Sequence, residues 1–350
     1  MRLPSCIFAC AVMVAAVAAA PGFAASGAAS FALIPEHYDA SLRASKSYFV
    51  ADTGPGRTYK NSIRISNLGK QTGTALLYAV DATTGQTSGA VYLDRTKPRR
   101  GVGGWATLGD SSVTLAPGQS KIVPVTVHVP AAAKPGDHLG GIVAENEALT
   151  SSSGKGALQI RIRHLTIAAV LVQVPGKAVA QMQTGGVIAG GEHGYQYVYV
   201  HLKNTGSAVT KPTGRLLIID PSGKQVASRR LKLDTFVPGT AIDYPVLLPA
   251  QALQPGKYTA KVDLSYSAAA LGYRRAVGAS QTTSGSFPFE VTAPQYKAIF
   301  KGVPPLQRPQ QAAKSGSSGS MLLFVLAGAL GALLVVGVFL LVAVRRWSRS

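Results

Sequence analysis

Between residues 30 and 300 the chain alternates apolar and polar residues in short runs. The clearest are Ser62–Ser66, Lys121–Val129, Tyr195–Leu202, Arg215–Ile219 and Tyr258–Tyr266. A period of two places successive side chains on opposite faces, and the runs are rich in Val, Ile, Tyr and Thr, so they read as half-buried strands. Gly and Pro clusters separate them at short intervals. No long segment carries the 3.6-residue period of a helix. This pattern predicts an all-β fold with few, short helices.

The two ends are different. Arg2 is followed by an apolar run to Ala20 and a small-residue stretch to Ala29, the order of a secretory signal peptide, here 1–29. Met321 to Val344 holds no charge. As a helix rising ~1.5 Å per residue it would cross a ~30 Å hydrocarbon core. Arg345, Arg346 and Arg349 follow in the tail 345–350, and cationic flanks stay on the cytoplasmic side. Both ends therefore predict a single-pass protein of a bacterial cell membrane, with the bulk of the chain outside and the C-terminus cytoplasmic. The only two cysteines, Cys6 and Cys10, lie in the expected signal. The mature chain must hold together by an apolar core, which its length allows.

The net charge is +20 with 15 acidic residues. Such a field favours anionic polymers. Outside a cell these are peptidoglycan or anionic wall polymers; export argues against nucleic acid.

A grammar repeats along the chain. One strand ends at Asn67-Leu68-Gly69, followed by Leu115-Ala116-Pro117-Gly118 and by Pro135-Gly136-Asp137-His138. Another ends at Asn204-Thr205-Gly206, followed by Val237-Pro238-Gly239 and by Pro255-Gly256-Lys257-Tyr258. The repeat predicts two tandem Ig-like β-sandwiches, 30–175 and 176–293. Asn67, Gly69, Asp137, His138, Asn204, Gly206 and Tyr258 are then structural corner residues. In this reading the glycines of Asn-x-Gly supply positive φ, and His138 takes the place of Tyr258, whose hydroxyl would cap a backbone group. Leu158–Val174 reads as one long strand, 267–285 as a loop interrupting the last hairpin, and 294–320 as a Pro/Ser/Gly linker.

The sequence offers no catalytic constellation. The six histidines have no metal-ligand spacing, and no nucleophile elbow, phosphate loop or dinucleotide fingerprint appears. No cofactor or metal is called for. The chain reads as a non-enzyme, with a glycan hydrolase of the envelope as the catalytic alternative. Lys97, Arg99, Arg100 and Trp105, in Lys97-Pro98-Arg99-Arg100-Gly101-Val102-Gly103-Gly104-Trp105, form a basic, glycine-rich loop beside an aromatic ring, suited to an anionic glycan. The plainer reading is a core tryptophan beside solvated cations.

Several motifs together resemble a known family. They are Phe49-Val50-Ala51-Asp52-Thr53-Gly54-Pro55-Gly56, Ile65-Ser66-Asn67, Gly101-Val102-Gly103-Gly104-Trp105, Leu115-Ala116-Pro117-Gly118-Gln119-Ser120, and Pro135-Gly136-Asp137-His138-Leu139-Gly140-Gly141-Ile142-Val143-Ala144. They look like the peptidoglycan-binding domain of WxL-interacting proteins. The resemblance implies a non-catalytic surface scaffold. Its first domain would bind peptidoglycan, and its second a secreted partner of the kind that carries Trp-x-Leu motifs. A chaperone-like assembly factor for secreted subunits is the alternative that the two-sandwich layout allows.

Overall fold

The structure, a computed structural model, describes residues 28–152, 160–248, 252–272 and 278–301. The expected signal peptide up to residue 27, the linker beyond residue 301, the membrane helix 321–344 and the tail 345–350 lie outside these residues. Among the described residues no helix is long and apolar enough to cross a membrane.

The first part of the chain forms β1 (Phe31–Pro35), β2 (Phe49–Asp52), β3 (Thr58–Asn67), β4 (Gly73–Thr84), β5 (Ala90–Tyr92), α1 (Val102–Trp105), β6 (Ala106–Leu108), β7 (Ser112–Leu115), β8 (Ser120–His128), β9 (Gly136–Asn146), β10 (Thr150–Ser152), β11 (Ile160–Ile162) and β12 (Leu165–Val174). The second part forms β13 (Met182–Glu192), β14 (Tyr195–Asn204), β15 (Thr213–Ile219), β16 (Gln225–Lys232), β17 (Ala241–Leu247), β18 (Gly256–Tyr266), β19 (Gln281–Val291) and α2 (Ala293–Phe300). The fold is predominantly β-sheet with few, short helices, as the alternation predicts.

Two compact units result. The first runs to Ile188 and also takes in Tyr199–Pro245 and Tyr258–Phe289; the second holds Ala189–Val198, Val246–Lys257 and the described chain from Glu290.

In the first unit, one sheet has the order β1-β3-β8-β6. A second runs β2-β12-β9-β4-β5, with β7 also on β4. β2 and β12 pair in parallel. The inward side chains of both sheets meet in a core that includes Phe49, Ile63, Ile65, Leu77, Val123, Val125, Ile142, Val170 and Val172, all at most 4% exposed. In β8, Val123, Val125 and Val127 are buried while Pro124 and His128 are exposed. The strand thus shows the half-buried period read from its sequence.

The later strands form the sheets β13-β14-β17 and β16-β15-β18-β19. Within the second unit, the buried Gln196 closes a loop: its side chain accepts from Leu253 N at 2.7 Å and donates to Leu253 O at 3.2 Å.

Four local expectations need correction. Gly101–Gly104 is not a plain loop, because Val102–Trp105 makes a single helical turn. The linker expected over 294–320 begins as helix α2. Thr292 caps it in a capping box with Gln295, Pro294 sits in the first turn, and Ile299 and Phe300 are buried. A proline there lacks only an N–H that the helix would leave unpaired anyway. Leu158–Val174 is not one strand: β11 and β12 are separated at Arg163 and His164, where Arg163 turns to two carboxylates. The loop expected over 267–285 ends early, since β19 already starts at Gln281.

Candidate binding site

The basic loop is held by one carboxylate. Asp81, in β4, accepts the backbone N–H groups of Arg100 (2.6 Å) and Gly101 (2.9 Å) through Oδ2, and that of Gly103 (2.6 Å) through Oδ1. Gly103 lies so close to β4 that a Cβ there would fall 2.5 Å from the Val80 carbonyl carbon. Only glycine lets the turn approach. The amide-lined hollow of this loop is therefore filled by the protein's own anion. What the loop offers a ligand is side chains: Lys97, Arg99 and Arg100 are all exposed. Among the described residues none of these three cations has a carboxylate within salt-bridge distance.

Trp105 ends the helical turn half-buried, packed against the core. Its ring lies 4.8 Å from that of His138, at an interplanar angle of 52°. His138 is further tied to the Lys134 carbonyl oxygen at 2.9 Å through Nε2. The structure thus brings together two residues that the sequence assigns to different roles. Both border the loop: His138, Lys134, Gly101 and Val102 line an open cavity of about 700 Å³ within the first unit. Lys97, Arg99 and Arg100 do not line it.

The expected corner residues have well-defined settings. Asn67 is fully buried. Its Nδ2 donates to Gln71 O (2.8 Å) and Leu115 O (2.9 Å), and its Oδ1 accepts from Gly69 N (2.9 Å). Asn204, also fully buried, repeats this with Ala208 O (2.9 Å), Phe236 O (3.0 Å) and Gly206 N (3.0 Å). The turn glycines agree too: Gly118 N donates to Asn67 O and Gly239 N to Asn204 O, each at 2.9 Å.

Gly69 and Gly206, however, do not have positive φ. They are glycine because a Cβ would lie 2.3 Å from Ala28 O and 2.2 Å from Val179 O respectively. The requirement is close approach, which the sequence does not separate from a backbone requirement. Asp137 is buried. It accepts from Val209 N at 2.9 Å and from Gln173 Nε2 at 3.2 Å. Tyr258 stacks on Phe289, with centroids 5.8 Å apart. Burial raises the pKa of its hydroxyl, and the Asp220 charge adds to the rise. His138 and Tyr258 each stand third in a strand that opens with a positive-φ glycine, Gly136 or Gly256.

One further cluster is absent from the sequence reading. The Glu145 carboxylate, 4% exposed, takes two hydrogen bonds from Arg163 (2.9 and 2.8 Å) and one from the Tyr78 hydroxyl (2.6 Å). Arg163 also reaches Asp94 at 3.1 Å. Burial alone would raise the Glu145 pKa, but the bonds from Arg163 and Tyr78 outweigh it and hold the group below its ordinary value. The Tyr78 hydroxyl moves the other way, raised by burial and by the anion it faces. Each acid here is matched to a donor, an arrangement that holds strands together. Among the described residues no group of three His, Cys, Asp or Glu side chains could hold a metal ion.

Sequence comparison finds a family match in the N-terminal part of the chain. Residues 31–146 match the family model described as WxL Interacting Protein, peptidoglycan binding domain. The resemblance read from the motifs holds over this segment, and the family is one of binding domains. No curated protein matches the chain significantly. Among solved structures, the class 5 fimbriae chaperone CfaA is 12% identical, with 72% of this chain and 99% of that chain covered and a TM-score of 0.34. The E. coli chaperone DraB is 13% identical, with 75% and 98% covered and a TM-score of 0.32. Scores this low carry no argument.

Proposed function

We propose that the chain is a non-catalytic scaffold of a bacterial cell surface that binds peptidoglycan or an anionic wall glycan through its N-terminal sandwich. The observation that carries this reading is the match of residues 31–146 to a peptidoglycan-binding family. The Asp81-anchored loop supplies a physical means. Lys97, Arg99 and Arg100 attract the polymer, and Trp105 beside His138 offers a ring for a sugar face. In the same reading the chain comprises two Ig-like sandwiches, exported by a signal peptide and tethered by residues 321–344. The repeated Asn67 and Asn204 corners support the tandem arrangement. The later sheets would receive a secreted partner, for which β13 or β17, at the ends of the order β13-β14-β17, is an edge that an added strand could extend.

Sedimentation of the purified chain with insoluble peptidoglycan tests the reading. The protein is expected in the pellet at low salt and largely released by about 0.5 M salt, where screening leaves a Debye length of only a few Å. The variant K97Q/R99Q/R100Q is expected to stay in the supernatant. Absence of the wild-type chain from the pellet at low salt would remove the proposal.

A further inference from the structure

We infer that the open face of the β16-β15-β18-β19 sheet is a second anion-binding site, one that takes a linear phosphodiester-linked polymer. This is independent of the role proposed for the 97–105 loop. The register places Arg230 directly opposite Arg215, and Lys232 opposite Thr213. On the other side of β15, Asp263 faces Arg215 and Lys261 faces Leu217. The face therefore carries Arg215, Arg230, Lys232 and Lys261, all exposed, with Asp263 as the carboxylate among them.

Like charges directly opposite on neighbouring strands are unfavourable. All 15 acidic residues lie among the described residues, yet none forms a salt bridge with Arg215, Arg230, Lys232 or Lys261. A bound anion would supply the missing counter-charge.

The geometry selects its chemistry. Directly opposed residues of antiparallel strands have Cα atoms about 5 Å apart, so two guanidinium forks can converge on one tetrahedral phosphate. A carboxylate is already satisfied by a single fork. The face is also concave, an open groove of about 880 Å³ in which the hydroxyls of Thr213, Ser265 and Thr282 accompany the cations. A groove with hydroxyls suits a chain of phosphate and polyol units, where a flat bilayer would touch only its rims.

The test uses the purified full chain with three probes: poly(glycerol phosphate), phosphate-free peptidoglycan, and phosphatidylglycerol vesicles. The variant R215Q/R230Q is expected to lose at least about tenfold in affinity for poly(glycerol phosphate). The slope of log affinity against log salt should fall by about 0.7–0.9, the release of counterions from one phosphate. Peptidoglycan binding and the thermal midpoint should not fall. R215K/R230K should bind between the two, because lysine keeps the charge and loses the fork. D263N should bind the polymer a few-fold more tightly. Unchanged polymer affinity in R215Q/R230Q, or tighter binding of the vesicles than of the polymer, would overturn the assignment.

Discussion

Asp137 Oδ2 accepts the backbone N–H of Val209 at 2.9 Å, from a residue 72 positions away and with the carboxylate 5% exposed. The backbone N–H of Asp137 in turn donates to Ser207 O at 2.8 Å. Within the first unit, the start of β9 is thereby fastened to the segment that follows β14. Removing the carboxylate leaves a buried N–H without its acceptor. Asp137→Ala is expected to cost about 2–3 kcal/mol, the range for a buried donor bonded to a charged group. Asp137→Asn should recover little, because the amide nitrogen would face a donor, either Val209 N–H or Gln173 Nε2. Denaturant midpoints followed by Trp105 fluorescence give the energy. Amide exchange at Val209 gives the location: it should accelerate in both variants.

The loop anchor makes a prediction that separates stability from binding. Asp81→Ala removes three charge-assisted hydrogen bonds from a single turn. A loss of roughly 2–4 kcal/mol is expected, together with weaker peptidoglycan binding, although Asp81 itself is an anion. If the loop were irrelevant, losing a negative charge would leave binding equal or improve it. Sedimentation with peptidoglycan at a temperature where the variant remains folded decides between these outcomes.

Glu145 predicts a pH dependence. Its folded pKa lies below the ordinary 4.5 because Arg163 and Tyr78 favour the anion. A depressed carboxylate contributes stability above its unfolded value, and that contribution is lost as the pH falls through the folded value. Unfolding free energy should therefore decline below about pH 4.5, and Glu145→Gln should flatten that part of the profile. Arg163→Ala removes the closest cation from the buried Glu145 anion, leaving it the Tyr78 hydroxyl and Arg95 at 3.9 Å. It should cost about 3 kcal/mol, the low end for breaking a buried pair, since Arg163 is itself 37% exposed.

The two asparagine corners predict parallel behaviour at distant sites. Asn67→Ala removes the side-chain donor to Gln71 O and Leu115 O, and Asn204→Ala the one to Ala208 O and Phe236 O. Each should cost roughly 2–4 kcal/mol. The corners lie far apart in sequence and share no partner, so the double variant should show additive losses in chemical denaturation. At the neighbouring positions, Gly69→Ala and Gly206→Ala should destabilise through steric contact with Ala28 O and Val179 O.

The β class was legible because burial on one face of a strand writes a period of two into the sequence. The Asn-x-Gly and Pro-Gly corners were legible because turns recruit few residue types. Helix α2 was misread: Pro294 resembled a linker residue until Thr292 and Gln295 proved to cap a helix around it. The glycine at each Asn-x-Gly was correctly singled out for an incorrect reason, since its close neighbour, Ala28 O or Val179 O, comes from a segment distant along the chain.

By itself, then, the order of amino acids determined what is local: the alternating strands, their turns, the charge, and the motifs of residues 31–146. Tertiary structure alone decided which groups meet. Asp81 finds its amides about 20 residues on, Glu145 finds Tyr78 across 67 residues, and Arg215 faces Arg230 only through strand register. A hydrogen bond or ion pair acts over a few Å in space and leaves no periodic trace along the chain.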